Sequence, residues 1–172
     1  MENFKSIDPK SVYFNPFSVL DDTWMLITAQ AGDEVNTMTA SWGGFGVLWN
    51  KNVAYIFVRP QRYTRELIDQ ADYFSLNILN HEKYKKDLEY LGSASGRNED
   101  KIEKAKLTLA YRNDVPYFVE AEYVLTCRKL SRQQIAKDSF IATEIADQNY
   151  PSDDFSIVYV GEIEEFLVNE EA

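Results

Sequence analysis

Hydrophobic and polar positions along this chain alternate in short runs, interrupted by a few stretches of helical spacing. Residues 36–46 read NTMTASWGGFG. Thr37, Thr39 and Ser41 recur at every second position with Met38, Ala40 and Trp42 between them, so an extended backbone sends hydroxyls to one side and apolar groups to the other. The run enters Gly43, Gly44 and Gly46, where a flat ligand or another backbone can approach closely. The same pattern suits an edge strand entering a glycine-rich bend with Trp42 in the core, and the pattern alone does not choose. Upstream, residues 24–30 form a continuous apolar run, and the Gly32-Asp33 pair marks the turn of a hairpin joining it to the Asn36 stretch. Residues 52–58 read as a buried strand that Pro60 stops. Residues 73–80 put Phe74, Leu76 and Ile78 on one face of a half-buried strand. Residues 107–111, 117–130 and 155–168 read as further strands.

Helical spacing appears in two places. In RPQRYTRELIDQA, residues 59–71, Thr64 caps a helix whose inward face is Leu67, Ile68 and Ala71, with Arg59 and Arg62 just before the first turn. In HEKYKKDLEYLG, residues 81–92, Tyr84, Leu88 and Leu91 share a face and Gly92 reads as the C-cap. SASGRNEDKIEKA follows as a Ser- and Gly-rich loop into a short charged helix carrying Lys101. Residues 1–22 mix Pro9, Pro16 and aromatics without a period, which suggests an ordered, non-regular arm packed on the barrel or on a second subunit. Residues 131–154 have no readable pattern. No repeat or Pro/Gly linker divides the chain, so residues 1–172 are expected to form one domain.

Composition sharpens the class. Aromatics are 14% of the 172 residues, which favours sheet. The 28 acidic against 18 basic residues give a net charge of −10, which repels nucleic acid and anionic bilayers at long range. An anionic ligand therefore needs a local basic cluster. A helix start with free N–H groups, the Thr64 hydroxyl and the Arg59 and Arg62 guanidinium groups is such a phosphate site, although Glu66 in the first turn opposes it and a plain capped helix with surface arginines fits as well. Cys127 is the only cysteine, so no internal disulfide or thiolate cage exists. The start carries no apolar leader and no run is long enough to span a membrane, so cytoplasmic residence is expected. His81 is the only histidine, which leaves Ser41, Ser95 and Cys127 without the partner that nucleophilic catalysis needs and rules out a two-histidine zinc site. Any reactive atom is then expected on a bound cofactor.

Taken together, NTMTASWGGFG, RPQRYTRELI, YFSLNIL and the SGRNEDKIEKA loop resemble, in order and spacing, the flavin reductase-like FMN-binding split-barrel family over roughly residues 20 to 130. The resemblance implies a mainly β fold, an antiparallel Greek-key split β-barrel with peripheral α-helices, in a homodimer with FMN near the subunit interface. It implies that Asn36, Thr37, Met38, Thr39, Ala40, Ser41 and Trp42 run along the isoalloxazine. Arg59, Arg62, Tyr63 and Thr64 take the phosphate end, and Ser95, Gly96 and Lys101 belong to a loop covering the flavin, with Lys101 as a flavin-tuning cation. No residue of the chain is expected to be catalytic in itself, and no metal is expected. Many relatives carry a histidine before the last core strand. Here Asp154 and Phe155 stand in that region, so the chain does without that histidine or uses Tyr159 or a water.

The function implied is hydride transfer from NADH or NADPH to bound FMN and on to an acceptor or a partner oxygenase. Two other functions fit the same residues: an FMN-binding electron carrier without nicotinamide reactivity, and a cofactor-free split barrel acting as a binding module.

Overall fold

The computed structural model describes residues 3–171 of the chain. Its frame is an antiparallel sheet of eight strands. These are β1 (Phe4–Ile7), β2 (Met25–Ala31), β3 (Glu34–Ala40), β4 (Gly43–Leu48), β5 (Lys51–Val58), β6 (Tyr73–Leu79), β9 (Ala121–Gln134) and β10 (Ile157–Asn169). A separate hairpin pairs β7 (Leu109–Arg112) with β8 (Val115–Phe118). The helices are peripheral: α1 (Pro16–Ser18), α2 (Tyr63–Gln70), α3 (His81–Ser93), α4 (Lys101–Lys104) and α5 (Thr143–Asn149). No helix among the described residues is long and apolar enough to cross a membrane.

The strand order β3-β2-β6-β9-β10-β5-β4 puts β3 and β4 at opposite edges, with β1 beside the second half of β10. In a flat sheet those edges would lie roughly 29 Å apart, six spacings of about 4.8 Å. Yet only Ser41 and Trp42 join the end of β3 to the start of β4, and that connection spans at most about 11 Å. The sheet must therefore curl until its two edges approach. They do not pair with each other, which makes this a split barrel with peripheral helices, the fold class that the sequence led us to expect.

Curvature comes from the long β9–β10 pair, whose register shifts between Val160 and Gly161 and again between Ile163 and Glu165, as bulges bend a strand. At Gly161 an added Cβ would stand 2.5 Å from Phe74 Cζ and 2.9 Å from Cys127 Cβ. Inside the curl lie Met25, Ile27, Ile56, Phe74, Leu76, Leu125 and Tyr159, all essentially inaccessible.

Several sequence expectations need correction. The arm packs on the barrel as expected, with Phe14 edge-on against Phe45 and Phe166, but it is not wholly non-regular, since β1 pairs with β10. β6 is buried on both faces, because the β7–β8 hairpin covers the polar side: Ser75 Oγ donates to Pro116 O at 2.6 Å and Asn77 Oδ1 accepts from Phe118 N–H at 2.9 Å. The expected strand over residues 117–130 is two strands broken at Val119–Glu120. Gly92 is inside α3, whose C-cap is Ala94, and a Cβ there would stand 3.2 Å from Thr39 Cβ, a tight contact that Thr39 would have to yield to.

Candidate functional site

The β2–β3 hairpin turns on two residues, with Gly32 at φ 58° as a tight turn of this hand demands. Counting from that turn, Asn36, Met38 and Ala40 exchange bonds with β2, and the N–H and C=O groups of Thr37 and Thr39 point away from it. Among the described residues no strand lies on that side. The outer edge of β3 is therefore a ladder of unmatched donors and acceptors.

A trough follows this edge. At one end it is lined by Met38, Thr39, Ala40, Ser41 and Trp42, with Phe57, Arg59, Arg62 and Ser156 opposite. It continues past Met38 and Arg62 into a stretch walled by Asn36, Gln61, Tyr63, Thr64, Ser95, Gly96 and Lys101. Beyond Asn36 and Gly96 it opens toward Glu34 and Asp100. Thirteen of the fourteen residues singled out in the sequence lie on it.

Thr37 is the exception. It is fully buried, its hydroxyl shares a 2.9 Å bond with Thr28 and donates to Ile27 O at 3.1 Å. Thr39 Oγ1 likewise donates to Leu88 O of α3 at 2.6 Å. The threonine hydroxyls that looked like an active face are used up inside the protein. What β3 offers the trough is its main chain, together with the exposed Ser41 and Trp42.

The helix end also differs from expectation. The N-cap of α2 is Arg62, with no side chain capping the first turn, and Thr64 is buried within that turn. Thr64 Oγ1 accepts from Asn36 Nδ2 at 2.9 Å, which ties α2 to β3 and leaves the hydroxyl proton free to donate. Arg65 N–H returns to Arg62 O, while the Tyr63 and Thr64 N–H groups have no partner among the described residues. Glu66, which argued against an anion, is neutralised by ion pairs with Arg97 and Arg65. Arg97 also lies 5.0 Å over the Tyr63 ring, whose hydroxyl bonds Glu34.

The two arginines separate. Arg62 stays at the helix end, donating to Gly92 O at 2.5 Å, and its pKa is lowered by burial and by Arg59. Arg59 is drawn to the other end, where it pairs with Asp154 at 2.6 Å, donates to Asn149 O at 2.5 Å and stacks 4.8 Å from the Tyr150 ring. β5 stops at Val58, and Arg59 stands away from the start of α2, beside residues 149–154. Asp154 also accepts from Gln61 at 2.7 Å, and these bonds hold its carboxyl below the usual range. Tyr159 does not reach the trough at all; it is buried and donates to Asp69 at 2.6 Å.

Lys101 is also buried, and its ammonium donates to Leu91 O and Ala94 O at 2.9 and 3.0 Å, closing the C-terminus of α3. Burial first, then the charge of Arg62, pulls its pKa down to about 8, with Glu99 acting the other way. It stands at the Thr64 end of the trough and does not line the Trp42 end.

The family described as "Flavin reductase like domain" matches residues 20–172. The chain belongs to that family. Solved structures agree on the flavin reductase-like fold. An FMN-binding domain of a flavin reductases-like enzyme from Shewanella baltica OS155 aligns with a TM-score of 0.70 at 15% identity, covering 97% of this chain and 78% of that one. An FMN-binding protein from Thermus thermophilus with bound p-hydroxybenzaldehyde gives 0.69 at 18% identity, covering 96% and 82%. A flavoredoxin from Methanosarcina acetivorans gives 0.68 at 22% identity, covering 86% and 69%. No curated protein matches the chain.

Sequence reasoning missed Phe57, Gln61, Ser93 and Ser156 as trough residues, and Asp154 as the partner of Arg59. Gln61 and Ser93 sit inside motifs that had been singled out, so neighbourhood was a usable signal. Phe57 and Ser156 had none, because only the pairing of β5 with β10 carries them to the trough.

Proposed function

We propose that the trough holds FMN, with its phosphate at the start of α2 and its ring system along the β3 edge toward Trp42. The residues fit such a group. Two free helical N–H groups, the Thr64 and Ser95 hydroxyls, Arg62 and Lys101 converge on one cavity in a chain of net charge −10, the donor set a dianion requires. Gly96 belongs to the same fit, since a Cβ there would collide with the Asn36 amide and stand 3.1 Å from Tyr63 Cδ1. At the other end, the unmatched N–H and C=O groups of β3 suit the mixed donors and acceptors along a flavin's pyrimidine edge. Bound FMN would supply the redox centre. The protein's own residues bind it, orient it and bury one face.

The single observation that carries this reading is continuity: an uncapped helix start and an unpaired strand edge open onto one trough. The activity we propose is flavin reduction by NADH or NADPH, with electrons passed to an acceptor or a partner oxygenase, in a cytoplasmic homodimer. A carrier without nicotinamide reactivity is the second reading, favoured by the similarity to a flavoredoxin. An absorbance spectrum of the purified protein, followed by anaerobic addition of each nicotinamide, tests both. A flavin spectrum bleached by either nucleotide supports the reductase. Bound flavin that stays oxidised with both supports the carrier, and failure to take up FMN at all removes the whole proposal.

Lys101 gives a pH prediction. Below about pH 8 its ammonium is charged and attracts the phosphate; above that it discharges. FMN affinity is expected to fall as pH rises through about 8, and Lys101→Met should flatten the profile in fluorescence titrations. The FMN-free protein should respond with the opposite sign. Because the folded pKa lies below the ordinary 10.5, the unfolded chain binds more protons between about 8 and 10.5, and stability rises with pH across that window.

A further inference from the structure

We propose that the helix end of the trough is a filter for phosphate number: it accepts a monophosphate ester and turns away the same molecule carrying a second phosphate, as a flavin dinucleotide does. The residues assigned to this discrimination are Glu34 and Asp100, helped by Asp33. They line neither the helix-end cavity nor the Trp42 end. In placing the first phosphate, the proposal rests on the FMN reading above.

The sign of the charge reverses across a neck. The helix-end cavity carries Arg62 and Lys101 on its wall and has no carboxylate among its lining residues. Through Asn36, Tyr63, Gly96 and Lys101 it adjoins a space of about 290 Å³, on whose wall stand Asp33, Glu34, Glu99 and Asp100. Lys104 pairs with Glu99. Glu34 and Asp100 are held by neutral donors, the Tyr63 hydroxyl and Glu103 N–H, and so keep their full charge. Lys101 is the one cation lining that space, and its ammonium already donates to Leu91 O and Ala94 O. A phosphate is drawn to the first cavity and repelled from the second.

The neck itself is tight. At Gly96 a Cβ would collide with the Asn36 amide and stand 3.1 Å from Tyr63 Cδ1. Tyr63 is held in place by its bond to Glu34 and by Arg97 at 5.0 Å over its ring. Arg97 also donates to Gln61 O at 3.1 Å and pairs with Glu66, so the strap bearing Ser95 and Gly96 is bonded across to the start of α2. The ring system takes the trough in the Trp42 direction. A group attached to the phosphate is left the acidic side, and a second phosphate, sharing a bridging oxygen with the first, enters it at once.

The test is isothermal titration calorimetry of the protein, dialysed free of flavin, with FMN and with FAD. FMN is expected to bind at least roughly tenfold tighter at low salt, and the ratio should shrink as salt screens the carboxylates. Glu34→Gln combined with Asp100→Asn keeps both acceptor oxygens and removes both charges, and should cut the ratio at least roughly threefold. FMN uptake by that variant shows that it is folded. Equal affinity for FMN and FAD, or a ratio that neither salt nor the double substitution moves, overturns the filter and leaves the FMN reading intact. Inorganic phosphate and pyrophosphate give an arm that needs no flavin. Pyrophosphate carries more charge, so an ordinary basic patch prefers it; here phosphate should raise the thermal midpoint more. If the protein takes up no flavin, that order would leave the filter standing while the FMN reading fell, and the reverse order would remove both.

Discussion

Arg62→Ala is expected to weaken FMN binding by roughly ten- to a hundredfold, the equivalent of a charge-assisted hydrogen bond of about 1.5–3 kcal/mol. Arg62 is the trough's one arginine that lines both the helix-end cavity and the Trp42 end. Its bond to Gly92 O uses one donor of the guanidinium fork, and the remaining donors are free to meet a phosphate. Thr64→Ala should act in the same direction and more weakly, since it removes one neutral donor and frees Asn36 from its 2.9 Å bond. Arg59→Ala is the informative contrast. Its charge is spent on Asp154 and Asn149, so its loss should disturb the wall formed by residues 149–154 and leave phosphate affinity within a fewfold of wild type. Fluorescence titration of all three variants checks this. Equal losses for Arg59→Ala and Arg62→Ala would mean that the phosphate lies between them and that the assignment of the two ends is wrong.

Gly161→Ala should produce the largest loss of stability. The added methyl would be forced to within 2.5 Å of Phe74 Cζ and 2.8 Å of Cε1, with Cys127 Cβ at 2.9 Å. All three elements involved, β6, β9 and β10, are central strands, and Phe74 and Cys127 are fully buried, so neither neighbour can retreat into solvent. Overpacking of this kind costs about 1–3 kcal/mol, and at this chain length each kcal/mol lowers the thermal midpoint by about 2–4 °C. Gly44→Ala is the control, because its Cβ would meet only Tyr55 Cδ2 at an ordinary 3.7 Å. A thermal melt in which Gly161→Ala and Gly44→Ala behave alike would show that the β9–β10 bulge relaxes to make room.

Cys127 and His81 illustrate groups that look reactive in a sequence and are structural in place. The thiol is fully buried and burial pushes its pKa far up. The imidazole sits at the first residue of α3, with Nδ1 2.9 Å from Thr23 O and its ring edge-on to Trp24. Neither lines the trough.

The sequence by itself determined the strand and helix periods, the hairpin at Gly32, the acidic background against which a few cations stand out, and the family, because each of these is written in local spacing or in motifs of adjacent residues. It also named nearly all of the trough, since Asn36 to Trp42 and Arg62 to Thr64 are short runs whose neighbours in sequence are neighbours in space. Only the tertiary structure decided what each side chain does there. Thr37 is spent on Thr28 and Ile27 O, Lys101 closes α3, Arg59 leaves its motif for Asp154, and residues 131–154 become the wall of a hollow. Those outcomes depend on contacts between residues far apart in the chain, and a hydroxyl or a cation carries no mark of which distant carbonyl or carboxylate will claim it.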